Sequence, residues 1–302
     1  MTENKIGFIG LGNMGGRISK CIVRAGAAVL GFDTNADVID ATGASAAASV
    51  ASLARESDVV LLSLPDSRVV ESVVLGPNGV LENAKSGQVI VDLSTAAPES
   101  TRRIHGLLAT KGAAYLDAGI SGGAAAADSG MLTLMVGGEK EVLDSVQSVL
   151  DYFASNTFYV GSSGAGHTTK LLNNFLNAVS LAATAEVMVA GKKAGLDLAV
   201  LLDVFNKSSG VNFATLNRFP KIITGDYLKG GLTNTLMMKD VVLYTELASQ
   251  LGLVSLNASG PLASFGLAKA LGYADEISNT VVDAIGDVSG GVRLYKNAEA
   301  TS

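Results

Sequence analysis

Lys170 and Asn174 stand four residues apart in the run Gly161-Ser162-Ser163-Gly164-Ala165-Gly166-His167-Thr168-Thr169-Lys170-Leu171-Leu172-Asn173-Asn174. On a helix that spacing puts both side chains on one face. An amine sheltered at the mouth of a cleft sheds its proton more readily than in water, because burial disfavours the charged form. It could therefore accept the proton of a substrate hydroxyl while the neighbouring amide orients that hydroxyl or a carboxylate. Taken alone, Lys170 reads also as a solvated surface charge. His167 offers a second base near neutrality, or a residue that caps or packs the first helical turn.

Two further segments could hold an anion or a charge. In Asp117-Ala118-Gly119-Ile120-Ser121-Gly122-Gly123, the Ser121 hydroxyl and the amides of Gly122 and Gly123 precede an alanine-rich stretch suited to a short helix, a cradle for a substrate carboxylate. Its plainer reading is a glycine turn. Lys239-Asp240 could bring an ammonium to the same chemistry, or form a surface ion pair.

A redox cofactor is indicated nearer the N-terminus. Gly10-Leu11-Gly12-Asn13-Met14-Gly15 follows an apolar run and opens a helical pattern that continues to Ala25, the setting in which G-x-G-x-x-G binds a dinucleotide. Gly10 allows the turn, Gly12 the approach of a pyrophosphate, and Gly15 close packing of helix on strand. Asp33, at the end of the second apolar run, is placed to bond the adenosine ribose hydroxyls. A 2′-phosphate would meet its charge, and residues 34–42 supply no Lys or Arg to receive one, so NAD is expected rather than NADP.

The elements that position these groups follow from periodicity. Short branched runs at residues 6–9, 28–32, 59–64, 89–92, 114–116, 132–136 and 157–160 alternate with helical segments such as 99–110 and 139–153. That alternation predicts an α/β domain, a Rossmann-like doubly wound parallel sheet over residues 1–162. From 163 to 302 the pattern is all-helical, opening with a long helix over about 166–194 that would carry residues from the domain junction into a second domain. Residues 297–302 read as an irregular tail.

Bulk properties narrow the partners. A chain of 302 residues exceeds the size of one ordinary core, and 48% hydrophobic against 17% charged residues suggests surface set aside for a homodimer or homotetramer. A net charge of -6 without a basic run argues against nucleic acid, and no apolar stretch approaches the ~20 residues of a membrane span. The first strand starts near Lys5, so a cytoplasmic location is expected. One cysteine and two distant histidines, His105 and His167, leave no metal cluster and put the hydride chemistry on an organic cofactor.

Six ordered motifs then resemble the β-hydroxyacid dehydrogenases, in the 3-hydroxyisobutyrate dehydrogenase-like branch related to 6-phosphogluconate dehydrogenase. They are G-L-G-N-M-G at Gly10 to Gly15, Leu64-Pro65, Ser94-Thr95, Ser121-Gly122-Gly123, G-x-G-x-x-x-K-x-x-x-N from Gly164 to Asn174, and Lys239-Asp240. The resemblance implies that Leu64, Pro65 and Thr95 line the cofactor with the glycine loop. It implies also that Ser121, Gly122, Gly123 and Asn174 hold the substrate, that Lys170 is the general acid/base, and that Lys239 touches cofactor and substrate. One departure is Gly119-Ile120, where many members carry Pro-Val, and it bears on the shape of the carboxylate pocket. Small side chains at Ala124 to Ala127 favour a small or moderately apolar acid, with pocket walls expected around Phe213 or Tyr227 to Leu232. Two other readings use the same architecture. A non-catalytic dinucleotide sensor would be expected to lose the lysine or asparagine, and an imine reductase characteristically lacks Lys170.

Overall fold

Ile6 and Phe8 turn into one core and Ile9 into another, and all four residues of the first strand, β1 (Ile6–Ile9), are buried. A strand covered on both sides belongs in a parallel sheet flanked by helices. The computed structural model, which describes residues 4–228 and 231–295, shows such a sheet. The tail at 297–302 and residues 229 and 230 of the expected pocket wall lie outside the described residues.

After β1 come α1 (Asn13–Arg24), β2 (Val29–Phe32), α2 (Ala36–Asp40), β3 (Ser45–Ala46), α3 (Val50–Glu56) and β4 (Val59–Leu62). The chain continues through α4 (Ser67–Leu75), α5 (Val80–Asn83), β5 (Val89–Asp92), α6 (Pro98–Ala109) and β6 (Ala114–Ser121). It closes the sheet with α7 (Gly123–Ser129), β7 (Leu132–Gly137), α8 (Lys140–Leu150) and β8 (Ala154–Gly161). The strand order is β3-β2-β1-β4-β5-β6-β7-β8, so the winding reverses between β1 and β4. Ligands of such sheets bind outside the carboxyl ends of the strands at that reversal.

The expectation of a parallel sheet takes one correction. β7 runs antiparallel to β6, with Asp117 opposite Gly137 and Ser121 opposite Thr133. Residues 122–131 are all that join the two strands, fewer than the dozen or so that a crossover to a parallel neighbour needs. α8 supplies that length before β8, which pairs parallel with β7. β6 also runs on to Ser121, well past the expected 114–116, so Gly119 and Ile120 are strand residues. β3, two exposed residues, carries no hydrophobic run and was not expected.

The chain divides into two compact units, Met1–Lys170 and Leu171–Ser302, and the division falls inside α9 (Ala165–Lys193). The second unit is helical: α10 (Leu198–Asn206), α11 (Phe213–Asn217), α12 (Phe219–Ile222), α13 (Asn234–Gln250), α14 (Ser259–Ala270) and α15 (Val281–Val288), with a 3-10 turn at Ser278–Thr280. Phe175, Leu181, Met188, Phe219, Met237 and Phe265 form its core, and Phe175 stacks on Tyr244 with ring centroids 3.6 Å apart. α9 stops where Gly195 takes a φ of 75°, and Asp197 then caps α10 through the amides of Ala199 and Val200. Among the described residues no helix is long and apolar enough to cross a membrane.

Candidate active site

Gly10 ends β1 with a φ of 89°, and a Cβ there would stand 2.3 Å from the Ser63 carbonyl oxygen. A Cβ on Gly15 would stand 1.9 Å from the Gly10 oxygen. Gly12 differs from both: nothing lies within 4 Å of the place its Cβ would take, and α1 begins there with no side chain capping its first amides. Uncapped amides and the positive end of the helix dipole, beside a residue that leaves open space, fit a pyrophosphate. Leu11 is buried, Asn13 exposed and Met14 half-buried, so the loop is anchored from below and open above.

Asp33 follows β2 and returns to this loop. Its Oδ2 accepts the Leu11 amide at 2.7 Å and its Oδ1 the Asn35 amide at 2.9 Å. Two backbone donors therefore fix the carboxylate beside the glycine turn, with lone pairs left for further donors. Leu64 and Pro65 follow β4, and Thr95 follows β5. The Leu64 amide donates to Ser94 Oγ at 2.9 Å, and the Ser94 amide donates to Asp92 Oδ1 at 3.0 Å. The Tyr115 hydroxyl donates to Asp92 Oδ2 at 2.7 Å; burial and the nearby Asp92 carboxylate push that phenol well up, so it stays a donor. The two loops are thus tied to one buried carboxylate.

β6 ends at the same edge, and Ser121-Gly122-Gly123 forms its exit into α7. Gly122 has a φ of 124° and Gly123 one of 68°, values that favour glycine at both positions. Two residues earlier, the start of α9 lies on the strand. Buried Asp117 accepts the Gly164 amide on Oδ1 and the His167 amide on Oδ2, each at 2.8 Å. A Cβ on Gly166 would stand 2.3 Å from the Asp117 carbonyl oxygen, and one on Gly119 would stand 2.5 Å from Lys170 Cβ. Backbone therefore meets backbone, and the stem of Lys170 is laid across Gly119, two residues from Ser121. His167 packs, as one of its two readings held: it is fully buried, with Nδ1 2.7 Å from Thr101 Oγ1 and Nε2 3.3 Å from the Asp92 carbonyl oxygen.

In the second unit Asn174 and Lys239 share a partner. Asn174 Nδ2 donates to Asp240 Oδ2 at 2.6 Å, and Lys239 Nζ stands 3.3 Å from Asp240 Oδ1. Asp240 is 1% exposed, so the plain surface ion pair is excluded. The first unit thus brings together the glycine loop, Asp33, Leu64, Pro65, Thr95, Ser121 to Gly123 and Lys170. Asn174 and Lys239 meet on Asp240. Sequence reasoning passed over Asp92, Asp117 and Asp240 as positioning groups. Asp240 carried a signal, since it interrupts the buried stripe Met237, Val241 and Tyr244 at helical spacing.

Comparison with known proteins gives the family. Residues 5–161 match the family model described as the NAD binding domain of 6-phosphogluconate dehydrogenase. Residues 164–283 match the model described as NAD-binding of NADP-dependent 3-hydroxyisobutyrate dehydrogenase. A 2-(hydroxymethyl)glutarate dehydrogenase from Eubacterium barkeri is 38% identical over 80% of this chain and 81% of its own. An NAD-dependent L-serine dehydrogenase from Pseudomonas aeruginosa is 37% identical over 90% of this chain and 94% of its own. The structure of 3-hydroxyisobutyrate dehydrogenase from Mycobacterium tuberculosis with L-serine superposes with a TM-score of 0.84 at 30% identity, covering 95% of this chain and 99% of that one.

Proposed function

The chain belongs to the β-hydroxyacid dehydrogenase family, and from that premise we propose that it transfers a hydride between NAD and the β-carbinol carbon of a small, 3-hydroxyisobutyrate-like acid. The observation that carries the reading is the seat of the Lys170 side-chain stem across Gly119, two residues before Ser121 on β6. The substrates named for the relatives, 3-hydroxyisobutyrate, serine and 2-(hydroxymethyl)glutarate, share the unit HOCH2–CHX–COO⁻, in which X is methyl, ammonium or carboxyethyl.

Gly10, Leu11, Gly12, Asn13, Met14 and Gly15 would hold the pyrophosphate, Asp33 the adenosine ribose, and Leu64, Pro65, Thr95 and Lys239 the nicotinamide half. Asp33 disfavours a 2′-phosphate, which supports NAD over NADP. When bound, NAD supplies the hydride acceptor. Ser121 and the amides of Gly122 and Gly123 hold the substrate carboxylate, and Asn174, fixed by Asp240, orients the hydroxyl. Lys170 Nζ takes the hydroxyl proton as the carbinol C–H bond breaks, and returns it when a semialdehyde is reduced. A cytoplasmic location is part of the same reading, as is a homodimer or homotetramer. The assembly is supported by Leu251, Leu253, Val254 and Leu256, each at least 55% exposed.

The test is NADH formation on 3-hydroxyisobutyrate, serine and 2-(hydroxymethyl)glutarate, with a cyclic imine and NADH as the competing reaction. Lys170→Ala should lower kcat by about 10²- to 10⁴-fold while NAD still binds. Full activity in that variant, or turnover of the imine and no acid, would overturn the proposal.

A further inference from the structure

Arg218 lies between α11 and α12, half-buried, and all its hydrogen-bond partners are neutral. Nη1 donates to Asn279 Oδ1 at 2.7 Å and to Ser278 Oγ at 3.3 Å, and Nη2 donates to Asn177 Oδ1 at 3.3 Å. Among the described residues no carboxylate oxygen comes within 4.0 Å of this guanidinium. Its Nε is buried with no acceptor among the described residues, and the Phe213 ring, centred 6.0 Å from Cζ, closes one side. Withdrawal from water pushes the guanidinium down to about 10, which still leaves it charged at neutral pH. Buried charges are ordinarily paired. Among the described residues this one has no counter-ion.

Asn177 connects Arg218 to the chemistry. Lys170, Asn174 and Asn177 follow one another at i, i+4 and i+7 on α9, and therefore on one helix face, about 10 Å from first to last at 1.5 Å per residue. Arg218 thus bonds the next polar residue along the face that carries the proposed proton acceptor and the amide that orients the hydroxyl. A planar guanidinium already braced by two asparagines and a serine is matched to a carboxylate, which it binds through parallel N–H donors. A single positive charge suits one carboxylate better than a doubly charged phosphate.

We infer that Arg218 receives a second carboxylate of the substrate, and that the preferred acids are HOCH2–CHX–COO⁻ molecules whose X arm ends in a carboxylate. The inference rests on the dehydrogenase reading and narrows it to hydroxy dicarboxylic acids.

The experiment compares 2-(hydroxymethyl)glutarate with 2-(hydroxymethyl)pentanoate, whose arm is similar in length and uncharged, and with 3-hydroxyisobutyrate, in the wild type, Arg218→Gln and Arg218→Lys. In the wild type the diacid should exceed the pentanoate in kcat/KM by about 10- to 100-fold, mainly through KM, as a charge-assisted bond implies. Arg218→Gln should bring that ratio towards one, and Arg218→Lys should restore part of it. A wild type that shows no preference for the diacid overturns the inference and leaves the dehydrogenase reading standing, as does a variant that lowers both acids equally and so keeps the ratio. If no acid is turned over, both fail together. The wild-type comparison alone decides if Arg218→Gln does not fold.

Discussion

Asp33, proposed to recognise the cofactor, also serves local structure. Its two oxygens accept the Leu11 and Asn35 amides, so the group expected to meet the adenosine ribose also holds the glycine loop in place. Asp33→Ser should weaken NAD by roughly 1.5–3 kcal/mol, the range for hydrogen bonds to a charged group, and should narrow the gap to NADP, measured by fluorescence titration of both dinucleotides. Asp240 is the matching case in the second unit. Asp240→Ala leaves the buried Asn174 amide without its acceptor, so kcat/KM should fall at least tenfold with NAD affinity little changed, measured by steady-state kinetics and NAD titration. The dinucleotide loop was legible because G-x-G-x-x-G after a strand and the acidic residue ending the next one are a spacing that the bound pyrophosphate and ribose demand, whereas the role proposed for Lys170 came from the resemblance of the ordered motifs and not from its own spacing. Asp117 and Arg218 were not legible. Their roles depend on backbone amides and side chains 47 and 41 or more residues away, which no local period records.

The exit of β6 and the first turn of α9 act as one part. Asp117 holds two amides of the α9 start, and glycines at 119, 137 and 166 let that start approach the strands until only backbone separates them. Asp117→Ala strands both amides in a buried place. It should cost about 2–5 kcal/mol and lower the melting temperature, followed by circular dichroism. Gly119→Val suits a strand by propensity, yet its side chain would enter the space of the Lys170 stem. Turnover should drop at least tenfold while NAD affinity holds, checked by kinetics and titration on the same preparation. Strand and helix positions were legible wherever branched runs or helical periods were strong, as at Ile6–Ile9, Val89–Asp92 and α9. β6 was cut short because Asp117, Ala118 and Gly119 look like a turn. They stay extended because β7 pairs with them and α9 needs the room.

Across the whole molecule, apolar residues lie where none of the three cores uses them. Leu251, Leu253, Val254 and Leu256 follow α13, Leu196 lies just before α10, and Val200 and Val204 lie on it, all more than half exposed. Light scattering should give two or four times the 30.7 kDa chain mass, and Val254→Asp with Leu256→Asp should shift the mass towards one chain. That α9 crosses the division between the units gives it a further property, one of angular phase. Each residue added to an α-helix turns all that follows by about 100°. One residue inserted between Lys170 and Asn174 would leave every functional residue type present but stretch the K-x-x-x-N spacing by one, keep Lys170 on Gly119, and turn Asn174 away from it. A residue added to the loop before Gly164 would change neither angle, because Asp117 sets the phase at the first turn. Tolerance to insertion should therefore switch from permissive to lethal for activity within the few residues from Gly161 to Asn174.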